Sequence, residues 1–279
     1  MDDSFWGRIG RGGAGDFRRE GGKRGENPLC TLKLVTDPAT AEGWRQLHYT
    51  RAMKALILAA GRGERMRPLT DTTPKPLLEV RGKRLIEWHL EALARAGVRE
   101  VVVNTAWLEE QFPPALGDGS RYGVAISYSF EGRDHGGALE TAGGIAKALP
   151  LLGDAFWVVS GDVFVPDFTF DPADAGDFEA GDALGQLWMV DNAAHHPKGD
   201  FGIDADGLAS RTSEPKFTWA SIGLFRAALF QDIPVGTKVA LRPRLELALD
   251  QRRLRARKYD GRWTDVGTME RLAALRAGA

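Results

Sequence analysis

Thiol chemistry is nearly absent from this chain: its 279 residues include one cysteine, Cys30. A lone cysteine cannot close an internal disulfide or furnish a cysteine-rich zinc site, which points to a reducing, cytoplasmic setting. Long hydrophobic runs are missing too. The apolar stretches at residues 55–60 and 155–159 fall far short of the ~20 residues that a membrane helix needs. Net charge is also missing, with 37 basic residues against 38 acidic ones, so nucleic acid and anionic lipid find no bulk attraction. An anionic ligand must therefore be held by a local cluster of cations. What the chain does have is apolar content, 43% of its residues, and enough length for one large domain or a domain with an appendage.

Residues 1–26 hold eight of the 34 glycines, interspersed with arginine and almost without aliphatic side chains. Burial there cannot offset the entropy of ordering. A short strand over residues 29–35 and a weak helix over 39–48 are the only structural signals. With nine Lys/Arg and seven Asp/Glu, residues 1–52 are not a basic arm, and they lack the apolar core of a signal peptide. They read as a disordered or non-native N-terminal extension, an Arg/Gly-rich RNA-binding tail being the alternative. The globular domain is expected over residues 53–279.

From Met53 onward, strand and helix patterns alternate. Residues 55–60, 98–104, 124–130 and 156–159 read as strands, separated by helical spacing at 85–97, a proline-interrupted helix at 107–116 and a helix over 139–149. This alternation predicts an α/β fold with a parallel or mostly parallel sheet and helices on both faces. Residues 184–190, 201–203 and 217–225 are closely spaced strand patterns that suggest antiparallel additions. Helices over 239–250 and 268–277 follow.

Ligands of open α/β sheets bind beyond the carboxyl ends of the strands, so the segment after the first strand is the place to look. There Ala59, Ala60, Gly61 and Gly63 let backbone N–H groups approach a ligand closely. Arg62, Arg65, Arg67 and Lys75 put four cations within fourteen residues, offset by Glu64 and Asp71. Pro74 and Pro76 stiffen the backbone around Lys75. A dinucleotide fingerprint would need glycine where Met66 stands, and a Walker loop would need Gly-Lys-Ser/Thr, which is missing. Gly-x-Gly alone would be an ordinary βα turn, but the stretch through Pro74-Lys75-Pro76 favours a polyphosphate site. Among the carboxylates, Asp162 directly follows an expected buried strand and Asp265 lies 103 residues later. Two aspartates converging beside the loop would suit Mg²⁺, which takes one or two carboxylates plus substrate phosphates. Read alone, Asp162 serves equally as a cap or turn former. Asp200, in Gly199-Asp200-Phe201, fits a surface turn. His195-His196-Pro197 reads as a solvated turn, because adjacent histidines do not share a face. Most of the eight tryptophans should be packing, with Trp107 or Trp219 able to line a sugar pocket.

Leu58-Ala59-Ala60-Gly61-x-Gly63-x-Arg65-Met66-x-Pro68-Leu69-Thr70, followed by Pro74-Lys75-Pro76-Leu77, resembles the signature of the sugar-1-phosphate nucleotidylyltransferases. The segments Asn104-Thr105-Ala106-Trp107-Leu108, Leu139-Glu140-Thr141-Ala142-Gly143-Gly144-Ile145 and Trp263-Thr264-Asp265-Val266-Gly267-Thr268 extend the likeness to about four-fifths of the chain. The resemblance implies a Rossmann-like, three-layer nucleotidyltransferase domain that is cytoplasmic, and a monomer or small homo-oligomer. Its implied reaction transfers a nucleotidyl group from UTP to a sugar 1-phosphate, best matched by N-acetylmuramic acid 1-phosphate in cell-wall sugar recycling, with release of pyrophosphate. Other pairings in the family are mannose 1-phosphate with GTP and glucose 1-phosphate with UTP or dTTP. A non-catalytic nucleotide sensor is a further alternative, disfavoured because Arg65, Lys75, Asp162 and Asp265 are all retained. By the same resemblance, Arg65, Lys75, Asp162 and Asp265 are catalytic, and Asp162 and Asp265 hold Mg²⁺. Ala59, Ala60, Gly61, Gly63, Glu64, Arg65 and Lys75 bind the nucleotide, while Leu139, Glu140, Gly143, Gly144, Ser160 and Asp200 contact the sugar substrate. Two departures bear on that sugar. Ser160 stands where muramate-directed members present asparagine, and residues 133–137 look like an insertion beside the sugar site.

Overall fold

The structure, a computed structural model, describes residues 53–278. The expected extension over residues 1–52 therefore lies outside the described residues. Along the chain the strands are β1 (Lys54–Ala59), β2 (Glu79–Val80), β3 (Lys83–Arg84), β4 (Glu100–Thr105), β5 (Ala125–Phe130), β6 (Ala155–Ser160) and β7 (Val163–Phe164). They continue with β8 (Gly185–Val190), β9 (Phe201–Ile203), β10 (Ala209–Ser210), β11 (Lys216–Arg226), β12 (Leu254–Lys258) and β13 (Thr264–Asp265). The helices are α1 (Leu85–Arg95), α2 (Phe112–Leu116), α3 (Glu131–His135), α4 (Glu140–Ala148), α5 (Pro172–Ala180), α6 (Arg242–Asp250) and α7 (Met269–Ala277).

A nine-stranded sheet runs β10-β9-β11-β6-β1-β4-β5, with β8 beside β11 and β12 beside β8. β1 pairs parallel with both β4 and β6, and β4 parallel with β5. The later strands reverse direction, β11 lying antiparallel to β6, β8 and β9. The mostly parallel, mixed sheet expected from the sequence is what forms.

Its three layers follow from the period of two along a strand. Ala55, Ile57, Val101, Val103, Trp157 and Val159 face one side, where Ile86, Leu90 and Leu93 of α1 cover them. Leu56, Val102, Phe156 and Val158 face the other, under Ala142, Ile145 and Ala146 of α4 and Leu245 of α6. Both faces are buried, so the central strands read as unbroken apolar runs. A third cluster joins Met66, Leu78, Val80 and Phe164 to Val266, Leu272 and Leu275. The methionine that spoils a dinucleotide fingerprint is thus a fully buried anchor for the glycine-rich segment.

Several elements differ from the periodic reading. Residues 107–116 are a turn followed by α2, because Pro113 and Pro114 fit only the first turn of a helix. The helix expected from residue 239 starts at Arg242, since Pro243 again belongs to a first turn and Val239 exchanges backbone hydrogen bonds with Leu139, Ala142 and Gly143. α5 carries only two buried apolar residues, Ala175 and Phe178, and β12 alternates Leu254 and Ala256 with basic side chains. Neither pattern stands out in the sequence.

One buried polar group sets a pH limit on the fold. His89, on the inner face of α1, is 1% exposed, and its Nε2–H donates to the Val163 carbonyl at 2.9 Å. Burial pushes the imidazole down to about 4 from 6.5, so the folded state holds it neutral. The unfolded chain then binds the extra proton between those values, and stability present above pH 6.5 is lost as pH falls toward 4, by about 3 kcal/mol in all. Thermal melts across that range should show the fall, and His89→Gln should flatten it; a melting profile unchanged by the substitution would refute the assignment.

Candidate functional site

The site is built where β1, β4 and β6 end together. After Ala59 the chain enters the glycine-rich segment, with Gly63 in the left-handed region at φ 68°. A Cβ at Gly63 would sit 3.0 Å from Thr70 Cγ2 and 3.3 Å from Lys75 Cε, so conformation and space both require glycine there. The Thr70 hydroxyl donates to the Gly63 carbonyl at 2.9 Å, and Trp107 Nε1–H donates to the Thr70 carbonyl at 2.7 Å. The Arg62 guanidinium lies 4.4 Å from the centre of the Trp107 ring. Trp107 therefore pins the loop rather than lining a sugar pocket, and Trp219 donates its Nε1–H to the Ile222 carbonyl.

A buried polar chain fixes the opposite wall. Asn104, at the end of β4, accepts from the Ala59 N–H through Oδ1 at 2.8 Å and donates through Nδ2 to Glu131 Oε1 at 2.6 Å. The other oxygen of Glu131 accepts from Leu139 N–H at 2.7 Å. Burial pushes the Glu131 carboxyl up, and the donors from Leu139 and Asn104 oppose that shift. Sequence reasoning missed this pair, although an asparagine closing the run Val101-Val102-Val103 is a visible break in an apolar strand.

Lys75 and Asp162 form the third wall. The Lys75 side chain, 11% exposed and set between Pro74 and Pro76, donates to Asp162 Oδ2 at 2.8 Å. Gly161 donates its N–H to the Leu58 carbonyl at 2.8 Å, and a Cβ there would press on Pro76 at 3.1 Å. Just beyond, β7 pairs with β13, and Val266 N–H donates to the Asp162 carbonyl at 2.9 Å. This pairing brings Asp162 and Asp265 onto neighbouring segments. Asp265 is held by Arg271 from the first turn of α7 and has His195 Nε2 at 3.2 Å from its Oδ1. Gly267 leaves the space that the Arg271 guanidinium occupies.

Between these walls lies a cavity of about 300 Å³. Of the residues singled out from the sequence, Ala59, Ala60, Gly61, Gly63, Lys75, Glu140, Ser160 and Asp162 line it. Glu64, Arg65 and Asp265 are not among the lining residues; Glu64 and Arg65 are exposed in the turn after Gly63. Leu139 is 1% exposed and turns into the core. Gly143 and Gly144 are buried in α4, where a Cβ would overlap the Thr237 carbonyl in the first case and Glu131 in the second. Their small size serves internal packing, so neither forms the cavity wall expected from the sequence. Asp200 is outside the cavity lining; its Oδ2 accepts from Trp219 N–H at 2.8 Å, and His196 Nε2 lies 3.4 Å from its Oδ1. Of the residues that look inserted, Arg133, Asp134 and His135 complete α3 and Gly136 and Gly137 follow it; the first amides of α3, Gly132 and Arg133 N–H, are capped by Glu109 at 3.0 and 2.7 Å.

Among the described residues no three of His, Cys, Asp and Glu converge as a ready cation cage. Asp162 and Asp265 supply two carboxylates on paired segments, 40% and 28% exposed. That hard-oxygen, open donor set fits Mg²⁺ sharing its remaining positions with phosphate and water.

Comparison with known proteins agrees with this geometry. The family model described as Nucleotidyl transferase matches residues 54–212. The chain is 48% identical over 233 residues to the N-acetylmuramate alpha-1-phosphate uridylyltransferase of Neisseria meningitidis, covering 81% of this chain and 97% of that one. It is 37% identical over 172 residues to the enzyme of the same name from Caulobacter vibrioides, covering 55% and 66% of the two chains. A crystal structure described as a glucose-1-phosphate thymidylyltransferase from Bacillus anthracis superposes with a TM-score of 0.70 at 21% identity, covering 82% of this chain and 95% of its own, a likeness of fold. With a glycine-rich loop, a lysine and paired aspartates set at the end of such a sheet, this chain belongs to the nucleotidyl transferase family.

Proposed function

We propose that the protein transfers the uridylyl group of UTP to a sugar 1-phosphate, N-acetylmuramic acid 1-phosphate in the first instance, releasing pyrophosphate. The observation that carries this reading is the meeting of Lys75 and Asp162 at 2.8 Å in a glycine-walled cavity, with Asp265 on the paired segment. An oxygen of the sugar phosphate attacks the α-phosphorus, the bond to the bridging α–β oxygen breaks, and pyrophosphate leaves with that oxygen. The nucleophile is already anionic, so no general base is needed. The obstacle is repulsion between two polyanions, and catalysis reduces to alignment and charge neutralisation.

Each wall has a part in that task. The backbone at Gly61 and Gly63 cradles the triphosphate, with the exposed Arg65 in the next turn supplying a further cation. Lys75 places its ammonium beside the α-phosphate. Ser160 and Glu140 stand toward the parts of the substrates that carry no phosphate. Asp162 and Asp265 would hold Mg²⁺, which neutralises phosphate charge when bound. The substrates and the single cysteine suit the cytoplasm, a role in sugar recycling, and an activity lying wholly within residues 53–279.

Pyrophosphate release with Mg²⁺, measured across UTP, GTP, dTTP and CTP and a panel of sugar 1-phosphates, tests the reading. Release with UTP and N-acetylmuramic acid 1-phosphate is expected. Release with mannose 1-phosphate and GTP instead would move the substrate assignment and keep the chemistry; a folded protein that binds nucleotide but releases nothing would overturn it.

A further inference from the structure

Glu140 is one of five non-glycine residues with positive φ among the described residues, at 62°. For a side chain that is neither Asn nor Asp this left-handed conformation is costly, and such strain persists only where the surroundings impose it. Here they do. Leu139 is tied down on both sides, its N–H to Glu131 and its carbonyl to Val239 N–H, and the chain must turn at once into α4. The Glu140 side chain is exposed at the cavity and has no hydrogen-bond or ion-pair partner among the described residues. A strained backbone thus presents an unpartnered carboxylate to a cavity that must also take a polyanion.

Sheet order decides which end of the substrate that carboxylate meets. Asp162 follows β6 on one side of β1, while Asn104 closes β4 on the other. With the phosphates over Gly61, Gly63 and Lys75 and the α-phosphorus open toward Asp162, the nucleoside extends toward Asn104 and Glu140. A carboxylate is repelled by phosphate and accepts only from donors, so it suits the neutral N–H and O–H groups at that end. Uracil presents a donor at N3, whereas cytosine presents an acceptor there.

Resting on the uridylyl-transfer reading, we propose that Glu140 is a specificity-determining residue that accepts a hydrogen bond from the nucleoside of UTP. The donor is the base N3–H or the ribose 2′-hydroxyl. Equilibrium binding of UTP without acceptor sugar, alongside thermal melts, tests this independently of turnover. Glu140→Gln keeps the length and the backbone strain but replaces one acceptor oxygen with a donor. It should leave the melting temperature unchanged and weaken UTP about tenfold. Glu140→Gly should weaken UTP similarly while raising the melting temperature by about 2–4 °C, because the left-handed conformation costs glycine nothing. If N3–H is the donor, Glu140→Gln narrows the preference for UTP over CTP; if the ribose 2′-hydroxyl is, the loss disappears with dUTP. Wild-type UTP affinity in both Glu140→Gln and Glu140→Gly would overturn the proposal. Failure of every sugar panel with wild-type protein that still binds UTP would instead overturn only the transfer reading.

Discussion

Lys75→Ala is expected to reduce kcat by about a thousandfold, or ~4 kcal/mol of transition-state stabilisation, which is the scale for removing one preorganised charge from a reacting centre. The size follows from the setting of the side chain. It is largely buried and fixed by flanking prolines, so its ammonium is in place before substrate arrives. The fold should survive, because the partner carboxylate of Asp162 is 40% exposed and water can take over its hydrogen bond. Steady-state kinetics with circular dichroism and a thermal melt would check both halves. Activity within tenfold of wild type would remove Lys75 from the mechanism, whereas collapse of the melt would make its role structural. Lys75→Arg should recover little, since a planar fork cannot replace a point charge in a space bounded by Gly63 and Pro76.

Asp265→Asn should cost a comparable factor through a different route. The amide keeps the shape of the side chain and can still accept from Arg271, so β13 and the start of α7 should stay in place. What it loses is the negative charge that a divalent cation requires. Calorimetric titration with Mg²⁺ in the presence of a non-hydrolysable UTP analogue should show weakened binding, and turnover should fall about a thousandfold. A fully active Asp265→Asn would exclude the residue from cation binding. Asp265 differs from Asp162 in its resting partners: Arg271 and His195 occupy it, so a cation arriving there has to compete with a guanidinium.

Much of this architecture was legible in the sequence because the signals were local. The central strands are apolar on both faces, so β1, β4 and β6 announce themselves as short continuous runs. The cavity wall from Leu58 to Pro76 is one contiguous segment, readable as small residues followed by proline-locked lysine. The opposite wall is distributed. Asn104 and Glu131 are separated by 27 residues, and nothing in the sequence joins the two until β4 and β5 lie side by side. Gly143 and Gly144 carried the right signal, a need for close approach, but the approaching groups are Thr237 and Glu131 rather than a ligand. A glycine pattern reports that something comes near and is silent on what it is. Asp200 illustrates the same ambiguity, its carboxylate being taken up by a main-chain amide where β11 departs from regular pairing.

The third apolar cluster joins the first loop of the domain to its last helix. Met66 is seated with Val266, Leu272 and Leu275, residues that leave the ribosome some two hundred positions later. The seat of the glycine-rich segment, begun by Leu78, Val80 and Phe164, is therefore completed only by residues made last. A fragment stopped before Val266 would keep the sheet and leave the glycine-rich segment without half of its packing.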